Sequence, residues 1–266
     1  MSAARPAIWG IVNVTPDSFS DAGSFFDHRA AIDHGIELAR CGADVLDVGG
    51  ESTRPGADPV SEAEEIRRVG PVLTGLARAG VEARLSVDTR HVGVAAAALD
   101  AGATIVNDVS AAAANGMLEL VAERGAGLVL MHMQGTPRSM QEDPSYEEVV
   151  ADVTAYLVGR AEAALVAGIA REDIWLDPGI GFGKTLAHNV ELLRRLEHFV
   201  ALDHPILLGA SRKSFIGQLT GRQDPAERLA GSLVCVLRAM QAGVQAVRVH
   251  DVKETHDVLE VWAQIR

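Results

Sequence analysis

The sequence predicts a single-domain (β/α)8 TIM barrel spanning residues 1–266, and three observations predict it. Eight short apolar runs rich in Val, Ile and Leu alternate with longer stretches of helical period, no linker or low-complexity segment divides the chain, and the 266 residues match the ~250 that such barrels use. A doubly wound open sheet has the same alternation and remains the other candidate, because counting repeats does not show closure.

The candidate strands are Ala7–Asn13, Asp44–Gly49, Arg84–Val87, Thr104–Asp108, Gly127–Met131, Ile174–Asp177, Pro205–Gly209 and Ala246–His250. Their nearly continuous apolar character suits parallel strands covered on both faces. Between them, Ile32, Ile36 and Ala39 share one helical face, and Ile66, Val69, Leu73 and Leu76 share another. The second helix opens with Ser61-Glu62-Ala63-Glu64, the pattern of a capping box, and Gly70-Pro71 is expected to break or kink it. Leu229, Leu233, Leu237 and Met240 define a later stripe, and Val258, Leu259 and Trp262 the last. Gly42, Gly80, Gly102, Gly125, Gly168 and Gly243 each follow a helical run and precede a strand, where a left-handed cap is usual.

Composition narrows the function classes. With 24 Lys+Arg against 36 Asp+Glu the net charge is −12, which opposes a nucleic-acid partner in the absence of a basic stripe. No run of about 18 apolar residues predicts a membrane span. Cys41 and Cys235, the two cysteines, sit in apolar helical stretches and read as reduced core side chains, so a cytoplasmic location is expected. The nine histidines show no zinc-site spacing.

In a closed barrel, functional side chains gather where strands end. Asn13, Asp47, Asp88, Asn107, Asp108, His132, Asp177, Ser211-Arg212-Lys213, Arg248 and His250 all lie within a few residues of a strand's carboxyl end and are expected to converge on one mouth. Individually, several have dull explanations: Asp88 as a helix cap, Asp177-Pro178 or Asn13 as turn formers. Together they carry both signs of charge. Arg54, Lys213, Arg248 and His250 suit an anion such as phosphate, while Asp88, Asn107 and Asp177 offer acceptors to a planar heterocycle with several N–H groups. The competing reading pairs Arg54 and Arg248 with Asp47 and Asp251. Gly179-Ile180-Gly181-Phe182-Gly183-Lys184-Thr185 imitates a P-loop, but Pro178 stands where that pattern needs glycine, so it reads as a flexible loop.

Several of these segments resemble one family. Gly10–Asp21 (GIVNVTPDSFSD) and Asp47–Gly56 (DVGGESTRPG) are similar to the two leading signatures of the dihydropteroate synthases, folate-pathway pterin enzymes. Ser86–Thr89, Asn107-Asp108, Met131–Gly135, Asp177–Lys184, Gly209–Lys213 and Arg248–Asp251 follow in the family's order over almost the whole chain. A departure is Ala22-Gly23, where two glycines are commoner.

The resemblance implies condensation of 6-hydroxymethyl-7,8-dihydropterin diphosphate with 4-aminobenzoate, a homodimer, and inhibition by sulfonamides. It implies that Asp88, Asn107, Asp177 and Lys213 hold the pterin, with Met131 among the substrate-binding residues. Asn13 would help bind Mg2+, and Thr53, Arg54, Arg248 and His250 would grip the diphosphate. Phe182, Ser211, Arg54 and Lys213 would shape the aminobenzoate pocket, closed by loops Val14 to Phe26 and Ser52 to Pro59. Catalysis would fall to Asp88, Lys213, Arg248 and His250, with loss of diphosphate preceding attack by the neutral arylamine and Asp88 stabilising the cation between. The alternatives are a methyltetrahydrofolate-binding methyltransferase barrel and a binding module that keeps the fold without the reaction.

Overall fold

A computed structural model describes residues 5–15, 28–52 and 59–265. In it the strands are β1 (Ala7–Asn13), β2 (Val45–Gly49), β3 (Arg84–Asp88), β4 (Ile105–Asp108), β5 (Gly127–Met131), β6 (Ile174–Asp177), β7 (Leu207–Leu208) and β8 (Ala246–Val249). The helices are α1 (His28–Arg40), α2 (Glu62–Ala79), α3 (Val92–Asp100), α4 (Met117–Arg124), α5 (Val149–Val166), α6 (Leu186–Arg194), α7 (Leu196–Val200), α8 (Ser214–Thr220), α9 (Leu229–Ala242) and α10 (Val252–Ile265). Two of them exceed one helix per strand: α7 extends the crossover after α6, and α8 lies between β7 and α9.

All strand pairs are parallel, in the order β6-β5-β4-β3-β2-β1-β8-β7. The ring closes through a bridge between Leu176 and Ile206 and a bond from Leu176 N to Pro205 O at 2.9 Å. The barrel is therefore the correct choice over an open sheet. Each of the six glycines between helix and strand has positive φ, the conformation a Cβ disfavours.

Three local expectations are corrected. Only half of the capping box forms: Ser61 Oγ accepts from Glu64 N at 3.3 Å, but the Glu64 carboxylate turns to Arg67 and Arg68. Those two guanidiniums hold Glu64 at a pKa of about 2. Helix α2 runs unbroken through Gly70-Pro71, because Pro71 lies on the exposed side, where water can meet the carbonyl its missing N–H leaves behind. In α9 the buried stripe is Ser232, Cys235, Val236, Ala239 and Met240, with Leu233 and Leu237 half-buried on its flank. The leucines misled because α9 packs through small residues against the barrel.

The apolar core has two parts. The larger fills the space between strands and helices, and the smaller lies inside the barrel, where Trp9, Val45, Ile105, Val129, Leu207 and Ala246 pack together with Ala7 and Trp175. Cys41 and Cys235 are unpaired. Among the described residues no helix is long and apolar enough to cross a membrane.

Candidate active site

Strand side chains alternate between faces, so residues two apart share one. Two positions beyond Trp9, Val45, Ile105, Val129, Trp175, Leu207 and Ala246 stand Ile11, Asp47, Asn107, Met131, Asp177, Gly209 and Arg248. Two beyond the inward-facing Ser86 stands Asp88. The alternation alone stacks a polar layer on a dry one, at the carboxyl end of the strands.

Contacts within that layer are specific. Asp47, fully buried, accepts through Oδ2 from Asn107 Nδ2 at 2.9 Å and from Arg248 Nε at 2.6 Å. Arg248 Nη2 donates to Asp88 Oδ2 at 2.7 Å. Among the described residues Nη1 of Arg248 has no protein partner, and the Asn107 amide oxygen also makes no bond. Burial works against the Arg248 charge, yet Asp47, Asp88 and Asp177 raise its pKa above the usual arginine value. Asp88 is pushed up by burial, with Arg248 opposing and Asp47 reinforcing the shift. Burial likewise raises Asp177, whose Oδ1 accepts from Gly179 N at 2.7 Å, leaving Oδ2 for other use.

Gly209 shows how closely the groups meet. A Cβ there would lie 3.6 Å from Asp177 Oδ2 and 3.9 Å from both Arg248 Cβ and Lys213 Nζ. Lys213 Nζ donates to the carbonyl of Ile180 and sits 4.4 Å from the centre of the Phe182 ring. Burial lowers the Lys213 pKa to about 8, against the pull of Asp177. At the rim, Ser211 Oγ lies 3.0 Å from His250 Nδ1 and accepts from His250 N at 3.2 Å. Met131 is buried at the end of β5, and half-buried Asn13 ends β1 in register with Gly49.

Not every strand-end residue faces the mouth. Asp108 and His132 follow the inward Asn107 and Met131 directly, so alternation turns them outward. Asp108 organises the turn after β4, accepting from Ser110 N, Ser110 Oγ and Ala112 N. His132 packs on Tyr146 and Tyr156 and faces Lys184. The competing reading of Arg248 is right about Asp47, while Asp251 pairs instead with Arg212, its Oδ2 3.0 Å from Arg212 Nε. Thr53, Arg54 and most of the two expected closing loops lie outside the described residues.

The glycine segment after β6 is tied down, contrary to the flexible loop expected. Four successive carbonyls each accept a side-chain donor: Ile180 from Lys213, Gly181 from Gln141 (2.6 Å), Phe182 from Lys184 (2.9 Å) and Gly183 from Tyr146 (2.6 Å). Gly181 N also donates to Asn189 Oδ1 at 2.6 Å. Sequence spacing gave no sign of Gln141 or Tyr146, since they reach this segment from another loop, and none that Lys184 turns back onto it.

Another polar cluster lies beside the mouth. Glu65 Oε2 is 2.7 Å from His91 Nδ1, and Arg90 grips Glu51, whose carboxylate also accepts from Val60 N at 3.2 Å. Glu51, Glu65 and His91 are near enough to share a cation, but the Arg90 guanidinium already supplies the positive charge on Glu51. Burial raises the Glu65 pKa, with the His91 and Thr89 hydrogen bonds opposing the shift.

Comparison with known proteins gives a consistent result. The pattern of the pterin binding enzyme family matches residues 9–250. The chain is 49% identical over 262 residues to the dihydropteroate synthase of Neisseria meningitidis serogroup C, covering 97% of this chain and 92% of that one. The solved structure of Xanthomonas albilineans dihydropteroate synthase with 4-aminobenzoic acid superposes with a TM-score of 0.93 at 49% identity, covering 100% of this chain and 94% of that one. The same organism's enzyme in complex with 7,8-dihydropteroate gives a TM-score of 0.90 at 46% identity, covering 100% and 95%.

Proposed function

The chain belongs to the pterin-binding enzyme family, and from that premise we propose how its polar layer performs dihydropteroate synthesis. The substrates are 6-hydroxymethyl-7,8-dihydropterin diphosphate and 4-aminobenzoate. The C–O bond to diphosphate breaks, the arylamine nitrogen bonds to the exocyclic carbon, and the amine's proton leaves with diphosphate or solvent. The observation that carries this reading is the meeting of Asp177, Lys213 and Arg248 around Gly209, with Phe182 over Lys213 at the lip.

Each group has a part that its surroundings support. Asp177 Oδ2 and the Asn107 amide oxygen accept from the pterin's N–H edge, and Lys213 donates to a ring acceptor. Asp88 faces the exocyclic carbon and stabilises the cation left when diphosphate departs, an electrostatic effect strengthened by burial. Arg248, fixed by two carboxylates, presents Nη1 to the diphosphate together with His250. Phe182 and Ser211 border the aminobenzoate, and Met131 walls the pterin. The arylamine is neutral at pH 7 and needs positioning more than a strong base.

The resident metal we propose is Mg2+, held by Asn13. The donor chemistry fits: the Asn13 amide oxygen carries no hydrogen bond to a described residue, and Mg2+ takes few protein ligands beside phosphate oxygens and water. When bound it neutralises charge on the diphosphate.

A homodimer is supported by an apolar face between α6, α8 and α9, lined by Val190, Leu193, Phe215 and Ile216, with Leu219 and Val234 59% and 64% exposed. A cytoplasmic location is supported by the two unpaired thiols.

The test is incubation with both substrates and Mg2+, followed by mass detection of 7,8-dihydropteroate and assay of diphosphate. Equimolar product and diphosphate are expected. Tight binding of the pterin diphosphate without product would instead make the chain a binding module.

A further inference from the structure

Lys184 is a lysine only 3% exposed that the reaction above does not use. Its Nζ donates to Phe182 O at 2.9 Å and His132 O at 3.3 Å, and lies 3.0 Å from His132 Nδ1. These three acceptors match the three protons of an ammonium. They come from two separate loops, one leaving β5 and the other leaving β6. Burial drives the pKa of His132 to about 3, with the Lys184 charge adding to the effect, so its ring is neutral, and in the tautomer protonated at Nε2 its Nδ1 accepts from Lys184. Burial lowers Lys184 itself to about 7, against the pull of Asp177.

A buried ammonium is a poor source of stability, and an apolar side chain of similar volume often serves a core as well or better. What it supplies is direction. The two loops approach backbone to backbone here: a side chain at Gly179 would run into the His132 carbonyl, and one at Gly183 into the Gln134 carbonyl. Glycine-rich backbone has many conformations to lose, and Phe182 stands in the middle of it. Gln141 and Tyr146 restrain the same loop from its exposed side, whereas Lys184 restrains it from within.

We propose that Lys184 is a positioning residue for the aminobenzoate subsite, joining the loops after β5 and β6 so that the Phe182 ring stands fixed over Lys213. The proposal rests on the assignment of Phe182 to that subsite. The experiment compares wild type with Lys184→Met and Lys184→Gln, measuring KM and kcat for 4-aminobenzoate at saturating pterin diphosphate. Loss of the Lys184 tie between the two loops predicts a KM about tenfold higher in Lys184→Met. A smaller rise is predicted in Lys184→Gln, which keeps two N–H donors, with kcat within about threefold in both. A lowered melting temperature with unchanged KM would overturn the proposal and leave Lys184 a purely structural group.

Amide hydrogen exchange gives a readout independent of turnover. Faster exchange confined to 132–134 and 179–183 in Lys184→Met is expected, and unchanged protection there would overturn the proposal. If Lys184→Met does not fold, Lys184→Gln and His132→Asn carry the same comparisons. A wild-type protein that makes no dihydropteroate contradicts the proposed function instead, and the exchange data then decide the role of Lys184 alone.

Discussion

Two layers inside the barrel sit on the same strands, two residues apart, and share almost no chemistry. The lower one, from Trp9 to Ala246, is dry and apolar. The upper one holds Asp47, Asp88, Arg248 and Asn107 in one bonded network, with Asp177 and Lys213 beside it. The strand backbone is common to both, so the difference lies only in which side chain the alternation delivers at each height. The lower layer fills the barrel beneath the site with apolar side chains. The upper layer spends part of that stability on buried charge, which Asp47 illustrates: its Oδ1 is buried without a partner among the described residues.

The largest effect that would test this division is expected at Arg248. In Arg248→Met, kcat/KM should fall by about 10³ or more, and stability by about 3–5 kcal/mol, because Asp47 and Asp88 lose the charge between them. Adding Asp47→Asn should recover stability in urea unfolding without recovering activity. Recovery of both would erase the distinction between the layers.

The converse experiment is Trp9→Ala. A cavity in the lower layer should cost about 3–5 kcal/mol in urea unfolding. The kcat/KM of the protein that remains folded should stay within about threefold. Asp177→Asn comes next: replacing one acceptor by a donor should weaken pterin affinity about 10- to 100-fold by calorimetry, with little change in melting temperature.

The smallest effect is a pH dependence. Lys213 titrates near 8 because burial disfavours its ammonium. The charged form is lost as pH rises through that value, so kcat/KM should decline on the alkaline side. Lys213→Arg keeps its charge and should move the decline upward; an unmoved alkaline limb would take Lys213 out of the site.

The sequence made the upper layer legible because alternation is a local rule. Once Val45, Ile105 and Trp175 are placed inward, Asp47, Asn107 and Asp177 follow without knowledge of their partners. The same rule, applied one residue further, separates Asp108 and His132 from the mouth. Pairings across the barrel were less accessible: Arg248 meets Asp88 across 160 positions of chain, and Lys184 meets His132 across 52. No periodicity in either segment encodes such a contact. The glycine run after β6 was misjudged for a related reason, since its composition suggests freedom and its restraints come from Gln141, Tyr146 and the two lysines.

A crystal structure of this chain with the dihydropterin bound tests the division into two layers most directly. The ring is expected to rest on the apolar layer, its N–H edge within hydrogen-bond reach of Asp177 Oδ2 and the Asn107 amide oxygen. A pterin lodged elsewhere, with Asp177 and Asn107 untouched, would contradict it.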